Sequence, residues 1–189
     1  MRTDSLGLIR AHYAFETLVG IPPAQLGYLI RSAIVMLCAA WERYNEDLLL
    51  EAIGIAESHT PSAVDLSEEV KKTISGRVKR DKNDLSPLLL ADAGWKTMWL
   101  AYATEDTDAL NTPNRENLNA LFKAHFGMAE YSRIWTDDGR TQINKFIEDR
   151  GAVAHNGNRA RNITMEELRI YHDMVVGFAP EIDSKMGMN

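Results

Sequence analysis

The sequence predicts an all-α protein, and three observations carry that prediction. Apolar residues recur at three- and four-residue steps almost throughout. No segment alternates apolar and polar residues as a half-buried strand does. Glycine and proline are few, at 12 and 6 of 189 residues. A chain 45% hydrophobic and 25% charged has the apolar content for one sizeable core. It contains no linker, internal repeat or low-complexity tract, so residues 1–189 read as a single helical-bundle domain.

Residues 5–19 form a first helix, broken by Pro22-Pro23. A long helix follows over roughly Ala24 to Ile53. Its apolar stripe is Leu26, Leu29, Ile30, Ala33, Ile34, Leu37, Cys38, Trp41, Tyr44 and Leu48. Glu57 to Ser67 is a polar loop around Pro61. Asp65 and Glu68 are spaced as a capping box for a helix to about Arg80. Its basic residues Lys71, Lys72, Arg77, Lys79 and Arg80 read as a solvated face, and Arg80 to Asp84 as a charged turn. Gly94 to Ala109 is a helix with Trp95, Met98, Trp99 and Tyr102 inward. Thr112 is the expected N-cap and Pro113 the first residue of a helix through Leu118, Leu121 and Phe122. Gly127 suits its C-cap. Asp137-Asp138-Gly139 reads as a turn. The next helix carries Ile143, Phe146, Ile147, Arg150 and Ala154 on one face and ends at Asn156-Gly157-Asn158. Thr164 and Glu167 form a second capping box, opening a last helix to about Ile182.

The net charge of −6 argues against a general nucleic-acid coat protein. Locally the sign reverses. From Arg140 to Arg161 five basic residues (Arg140, Lys145, Arg150, Arg159, Arg161) face two acidic ones, Glu148 and Asp149. A nucleic-acid site and an ordinary solvated helix end fit this charge equally well. Cys38 is the single cysteine and has no internal disulfide partner, which points to a reducing compartment. Met1-Arg2-Thr3-Asp4 leads into no signal-peptide core, and the longest apolar run, Ser32 to Trp41, is far too short to cross a membrane. A soluble, cytoplasmic protein with no membrane contact is expected. The five histidines lack ligand spacing, and there is no cysteine pair, phosphate-binding glycine loop or nucleophile elbow. Neither a metal centre nor a cofactor is predicted.

Arg150 and His155 remain. Arg150 stands near the middle of an apolar helix face, where a desolvated guanidinium requires a carboxylate, a phosphate or a subunit interface. His155 lies five residues on, about 140° around an ideal helix, so the two do not share a face. Gly151 between them permits close approach of another backbone. That arrangement suits a site completed by a second copy of the helix. The other reading is an internal ion pair of Arg150 with Glu42, Glu46 or Asp149 and a surface cap at His155. A fixed cation near a group that titrates around neutral pH is the pairing phosphodiester chemistry uses.

Four segments together resemble the HEPN superfamily, closest to its RiboL-PSP-HEPN branch. Ala39-Ala40-Trp41-Glu42-Arg43-Tyr44 through Leu48 is similar to an aromatic-acidic helix of that family. Asn111-Thr112-Pro113 through Phe126-Gly127 resembles its middle helix. Phe146 to Gly157 resembles its R-x4-6-H segment, and Thr164 to Ile182 its closing helix. Two departures occur: Gly151 stands where the family often has asparagine, and Asn156 separates His155 from Gly157. The resemblance implies a helical-bundle dimer acting as a metal-independent endoribonuclease in a toxin–antitoxin or phage-defence setting, with RNA as substrate and an antitoxin or operon-encoded protein as a further partner. It implies catalytic roles for Arg150 and His155 across the dimer interface. Glu42 and Asn156 would support them, and Arg159, Arg161 and Lys145 would hold flanking phosphates. The alternatives are a non-catalytic HEPN module that dimerises or binds RNA or protein, and a structural helical adaptor.

Overall fold

In the computed structural model, which describes residues 3–157 and 162–187, the longest element is a helix of 33 residues, Gly27–His59. At 1.5 Å per residue it spans about 50 Å. Among the described residues there are seven α-helices and no strand: α1 (Thr3–Ala14), α2 (Gly27–His59), α3 (Glu68–Arg80), α4 (Gly94–Asp108), α5 (Arg115–Phe126), α6 (Asp137–Asn156) and α7 (Met165–Met186). Helices α1, α4, α5, α6 and α7 all pack on α2, and α3 packs on α4 and α5. The predicted stripe is buried apart from the half-buried Tyr44, with Ala33, Ile34, Leu37, Cys38 and Trp41 at 0–1% exposure, and Leu49 and Ile53 extend the buried face beyond it. None of the described helices is long and apolar enough to cross a membrane.

The element boundaries show where local chemistry outweighs a simple reading. Helix α1 gives way to a π-turn, Phe15–Val19, closed by Gly20 in the left-handed region. Pro22 is extended, Pro23–Leu26 makes one 3-10 turn, and α2 begins three residues later than expected. It also runs past Ile53 to His59, because nothing breaks it before Thr60, held extended by the following proline. The N-cap of α3 is Ser67, whose hydroxyl accepts from the Val70 amide, while Asp65 closes a separate 3-10 turn. The expected Asp65–Glu68 box does not form. Arg77 also departs from the solvated face predicted for α3: its guanidinium is bound by Glu105 and Asp106 and lies over the Tyr102 ring.

Thr112-Pro113 does not start α5. The Pro113 carbonyl accepts the buried indole N–H of Trp41 at 3.0 Å, which holds that residue outside the helix. Asn114 caps α5 instead, accepting from the Asn117 amide at 2.8 Å. Asp137-Asp138-Gly139 is the first turn of α6, capped by the Thr136 hydroxyl. Gly139 faces the Phe178 ring of α7 so closely that a Cβ there would overlap it. Gly127 in the left-handed region and the Thr164–Glu167 box form as expected. Helix α7 contains Pro180 and continues past Ile182 to Met186.

The centre is aromatic but not wholly apolar. Tyr131 stacks on Phe122 at 3.7 Å, and its hydroxyl donates to Asn45 Oδ1 at 2.6 Å. Asn45 in turn donates to the Trp41 carbonyl at 2.7 Å, and Asn45, Tyr131 and Trp41 are all fully buried. Removing the hydroxyl strands a buried amide oxygen that water cannot reach. Tyr131→Phe is therefore expected to lower unfolding stability by about 1–3 kcal/mol, read as a lower urea midpoint at unchanged m-value. An unchanged midpoint would show that the Asn45 oxygen is satisfied otherwise.

Candidate functional site

Helix α6 buries Ile143 and Phe146 at 0% and Ile147 at 6% exposure against the core. One turn on, Arg150 is half-buried. Beyond it the buried position is Val153, not the expected Ala154, which is exposed. The larger side chain gains more from burial, so the end of α6 turns that way and leaves Ala154 and His155 outward.

Arg150 has no ion pair within 4 Å among the described residues. Glu46 pairs with Arg43, and Asp149 accepts from the Tyr171 hydroxyl at 2.7 Å. The internal ion pair of the alternative reading is therefore not formed. The Nε of Arg150 is buried without a hydrogen-bond partner. Its charge nevertheless reaches α2, where Cys38 and Glu42 stand one turn apart. Burial pushes the Cys38 thiol up to about 11, with Arg150 opposing and Glu42 adding to the shift. The Glu42 carboxyl, half-buried, is also raised: burial first, then the neighbouring Glu46, with Arg150 pulling it back. Sequence pattern placed Glu42 in this neighbourhood but not Cys38. The signal was present, since the two are four residues apart on one helix face.

His155 and Asn156 are exposed at the C-terminal end of α6, which Gly157 caps with φ +54°. Between Arg150 and His155 a Cβ on Gly151 would meet no atom within 4 Å. The surface there is open. Lys145 is less available than predicted: its ammonium lies 3.4 Å from Glu167 and 4.0 Å from Asp149, over the Tyr171 ring. Arg159 and Arg161 lie outside the described residues. The helix thus brings together a half-buried cation, an unobstructed backbone and an exposed imidazole, with Cys38 and Glu42 behind them. Among the described residues no group of three or more metal-ligating side chains comes together.

The chain belongs to the RiboL-PSP-HEPN family, whose model matches residues 3–187. No curated protein and no solved structure matches it.

Glu42 gives a direct test of this electrostatic layout. Arg150 favours its ionised form, so Arg150→Ala should move the Glu42 titration to higher pH, measured by carboxyl carbon NMR. A carboxyl raised in the folded state binds more protons there than in the unfolded chain. Its contribution to stability therefore falls as pH rises from the unfolded value through the folded one, and this loss should be larger in Arg150→Ala. A Glu42 resonance that titrates identically in both proteins would mean the two charges do not interact.

Proposed function

We propose that this protein is a metal-independent endoribonuclease whose site is completed by a second copy of α6. The observation that supports this best is Arg150: half-buried, with Nε orphaned, no carboxylate within 4 Å among the described residues, and a clear surface beside it at Gly151. A phosphate is a partner suited to such a guanidinium. On this reading the neutral His155 of one copy takes the proton from a ribose 2′-hydroxyl. The freed oxygen attacks the adjacent phosphorus, and the protonated His155 of the partner subunit hands a proton to the departing 5′-oxygen. Arg150 stabilises the charge on the pentacovalent phosphorane. The products carry a 2′,3′-cyclic phosphate and a 5′-hydroxyl. Glu42 sets the local field at Arg150, and Asn156 flanks His155. A toxin–antitoxin or phage-defence setting accords with such an activity.

The test is cleavage of mixed RNA by purified protein in EDTA. His155→Ala should keep its fold and lose about 100- to 10,000-fold in rate, the usual contribution of a positioned acid–base group. Cleavage that survives in His155→Ala, or that disappears with chelator, would contradict the mechanism. An inert but dimeric wild type would favour the non-catalytic module.

Gly151 separates the dimer from the protomer. Leucine there meets open space within one subunit and is the better helix former, by up to about 1 kcal/mol. Gly151→Leu should therefore leave the thermal stability of the dilute protomer unchanged or raised, yet weaken dimerisation by wedging the facing helices apart. Light scattering checks this, and a dimer unaffected by the leucine would place the interface elsewhere.

A further inference from the structure

A pocket of about 570 Å³ opens between α1, the start of α2 and the entry to α7, lined by His12, Tyr13, Glu16, Ile30, Asn162 and Ile163. Its size is that of a small-molecule site. Its composition is unusual for a gap between helices. His12 is only 2% exposed, yet neither ring nitrogen makes a hydrogen bond. The nearest charge is the Glu16 carboxylate, 3.6 Å from Nδ1. Buried polar atoms are nearly always satisfied, so this ring lacks a partner that the fold does not supply. Ile30 and Ile163 form apolar walls, and Tyr13, 39% exposed, presents an aromatic surface.

The pocket lies near the α6 site. Ile30 is eight residues from Cys38 on the same helix, about 12 Å along its axis. Asn162 follows Asn156 by six residues, a span of about 20 Å at most. Cations border it: the Arg169 guanidinium lies 3.4 Å from the Tyr13 hydroxyl, and the Arg31 guanidinium fills the space where Gly27 lacks a Cβ, 3.2 Å from that position. Apolar walls, an aromatic side chain, a carboxylate and an amide, with arginines at the rim, match a flat base on a charged backbone.

We propose that this pocket binds an unpaired guanine of the RNA, on the nuclease reading of the α6 site. Guanine is the base whose pairing edge offers two adjacent donors, N1–H and the N2 amino group. One carboxylate accepts both, and Glu16 supplies it. The Asn162 amide donates to O6, and Tyr13 covers a face of the ring. Adenine, cytosine and uracil lack the paired donors and leave the carboxylate poorly satisfied. The pocket thereby selects the nucleotide near the scissile bond.

The experiment is calorimetric titration of the full-length protein with GMP, AMP, CMP and UMP, alongside mapping of RNA cleavage sites. GMP should bind about tenfold or more tighter than the others, as one bidentate contact discriminates. Glu16→Gln, which replaces one acceptor by a donor, should abolish that preference while leaving the other three nucleotides unchanged. Asn162→Ala, at an exposed position, should weaken GMP alone. Equal binding of all four nucleotides, no binding, or a GMP preference that survives both substitutions would overturn the proposal. Binding does not require turnover, so the two readings fail separately. A protein that prefers GMP but cleaves no RNA keeps this pocket and loses the nuclease. One that cleaves without base preference and binds the four alike keeps the nuclease and loses the pocket.

Discussion

The indole of Trp41 is the contact on which the arrangement of the helices depends. It sits at 0% exposure in the middle of α2 and reaches three separate stretches of chain. Its N–H holds the Pro113 carbonyl, its ring meets Trp135 at 5.6 Å, and it meets Phe178 of α7 at 6.1 Å. An indole is large and rigid, and its N–H usually finds an acceptor when buried. That requirement fixes more than packing does. The chain entering α5 must present a free carbonyl to α2, so α5 cannot begin at Pro113. The chain entering α6 must bring Trp135 against the same ring. The Asn45–Tyr131 pair satisfies its own polar atoms one turn along α2, while Nε1 of the buried Trp135 has no hydrogen-bond partner among the described residues.

The course of α6 follows from this. Its first turn is pressed against Phe178 through Gly139, and its middle is anchored by Ile143 and Phe146. Arg150 comes where that contact thins, with Val153 still buried and Ala154 exposed beyond it. A guanidinium placed one turn earlier would be fully desolvated. Half-buried, Arg150 loses part of its water and acts on Cys38 and Glu42 with no ion pair within 4 Å among the described residues. Desolvation short of neutralisation makes a cation attractive to an incoming phosphate.

Much of this was legible in the sequence. The all-helical class, the α2 stripe, Gly127 and the Thr164–Glu167 box rest on periodicity and short-range capping, which one chain segment settles by itself. The errors share a cause. Asp65, Thr112 and Asp137-Asp138-Gly139 all carried plausible local signals, and each was overruled by a contact from elsewhere or a better cap beside it. Ser67 follows the buried Leu66, Asn114 follows a proline captured by Trp41, and Thr136 follows the buried Trp135. Arg77 was misplaced for the same reason, since its partners Glu105 and Asp106 lie almost thirty residues away. For the candidate site, the pattern identified Arg150 as out of place on an apolar face. It could not show that no carboxylate answers it, because that depends on where α2 and α7 stand. The pocket at His12 was hidden altogether: a lone histidine on a helical face looks like any other core position until both nitrogens are seen to lack hydrogen bonds.

An acidic protein that engages RNA must do so through local charge. At physiological salt a fixed charge is felt over about 8 Å, so the net −6 of the whole chain says little about a strand lying along one end of the bundle. There the exposed or half-buried cations are Arg31, Arg150 and Arg169, while Arg43, Arg77 and Lys145 are already bound to carboxylates. The fold thus ties up part of its arginine and lysine charge in ion pairs, while Arg31, Arg150 and Arg169 have no carboxylate within 4 Å among the described residues. Few phosphate contacts give weak, salt-sensitive and largely sequence-blind attraction. A site built that way would gain selectivity from a feature that reads a base. A pocket carrying a carboxylate serves that purpose because it adds no attraction for the backbone. Glu16 repels phosphate, so a strand gains from the pocket only by placing a donor edge against that carboxylate. Affinity and selectivity are then carried by residues of opposite sign, and neither can be raised by simply making the surface more basic.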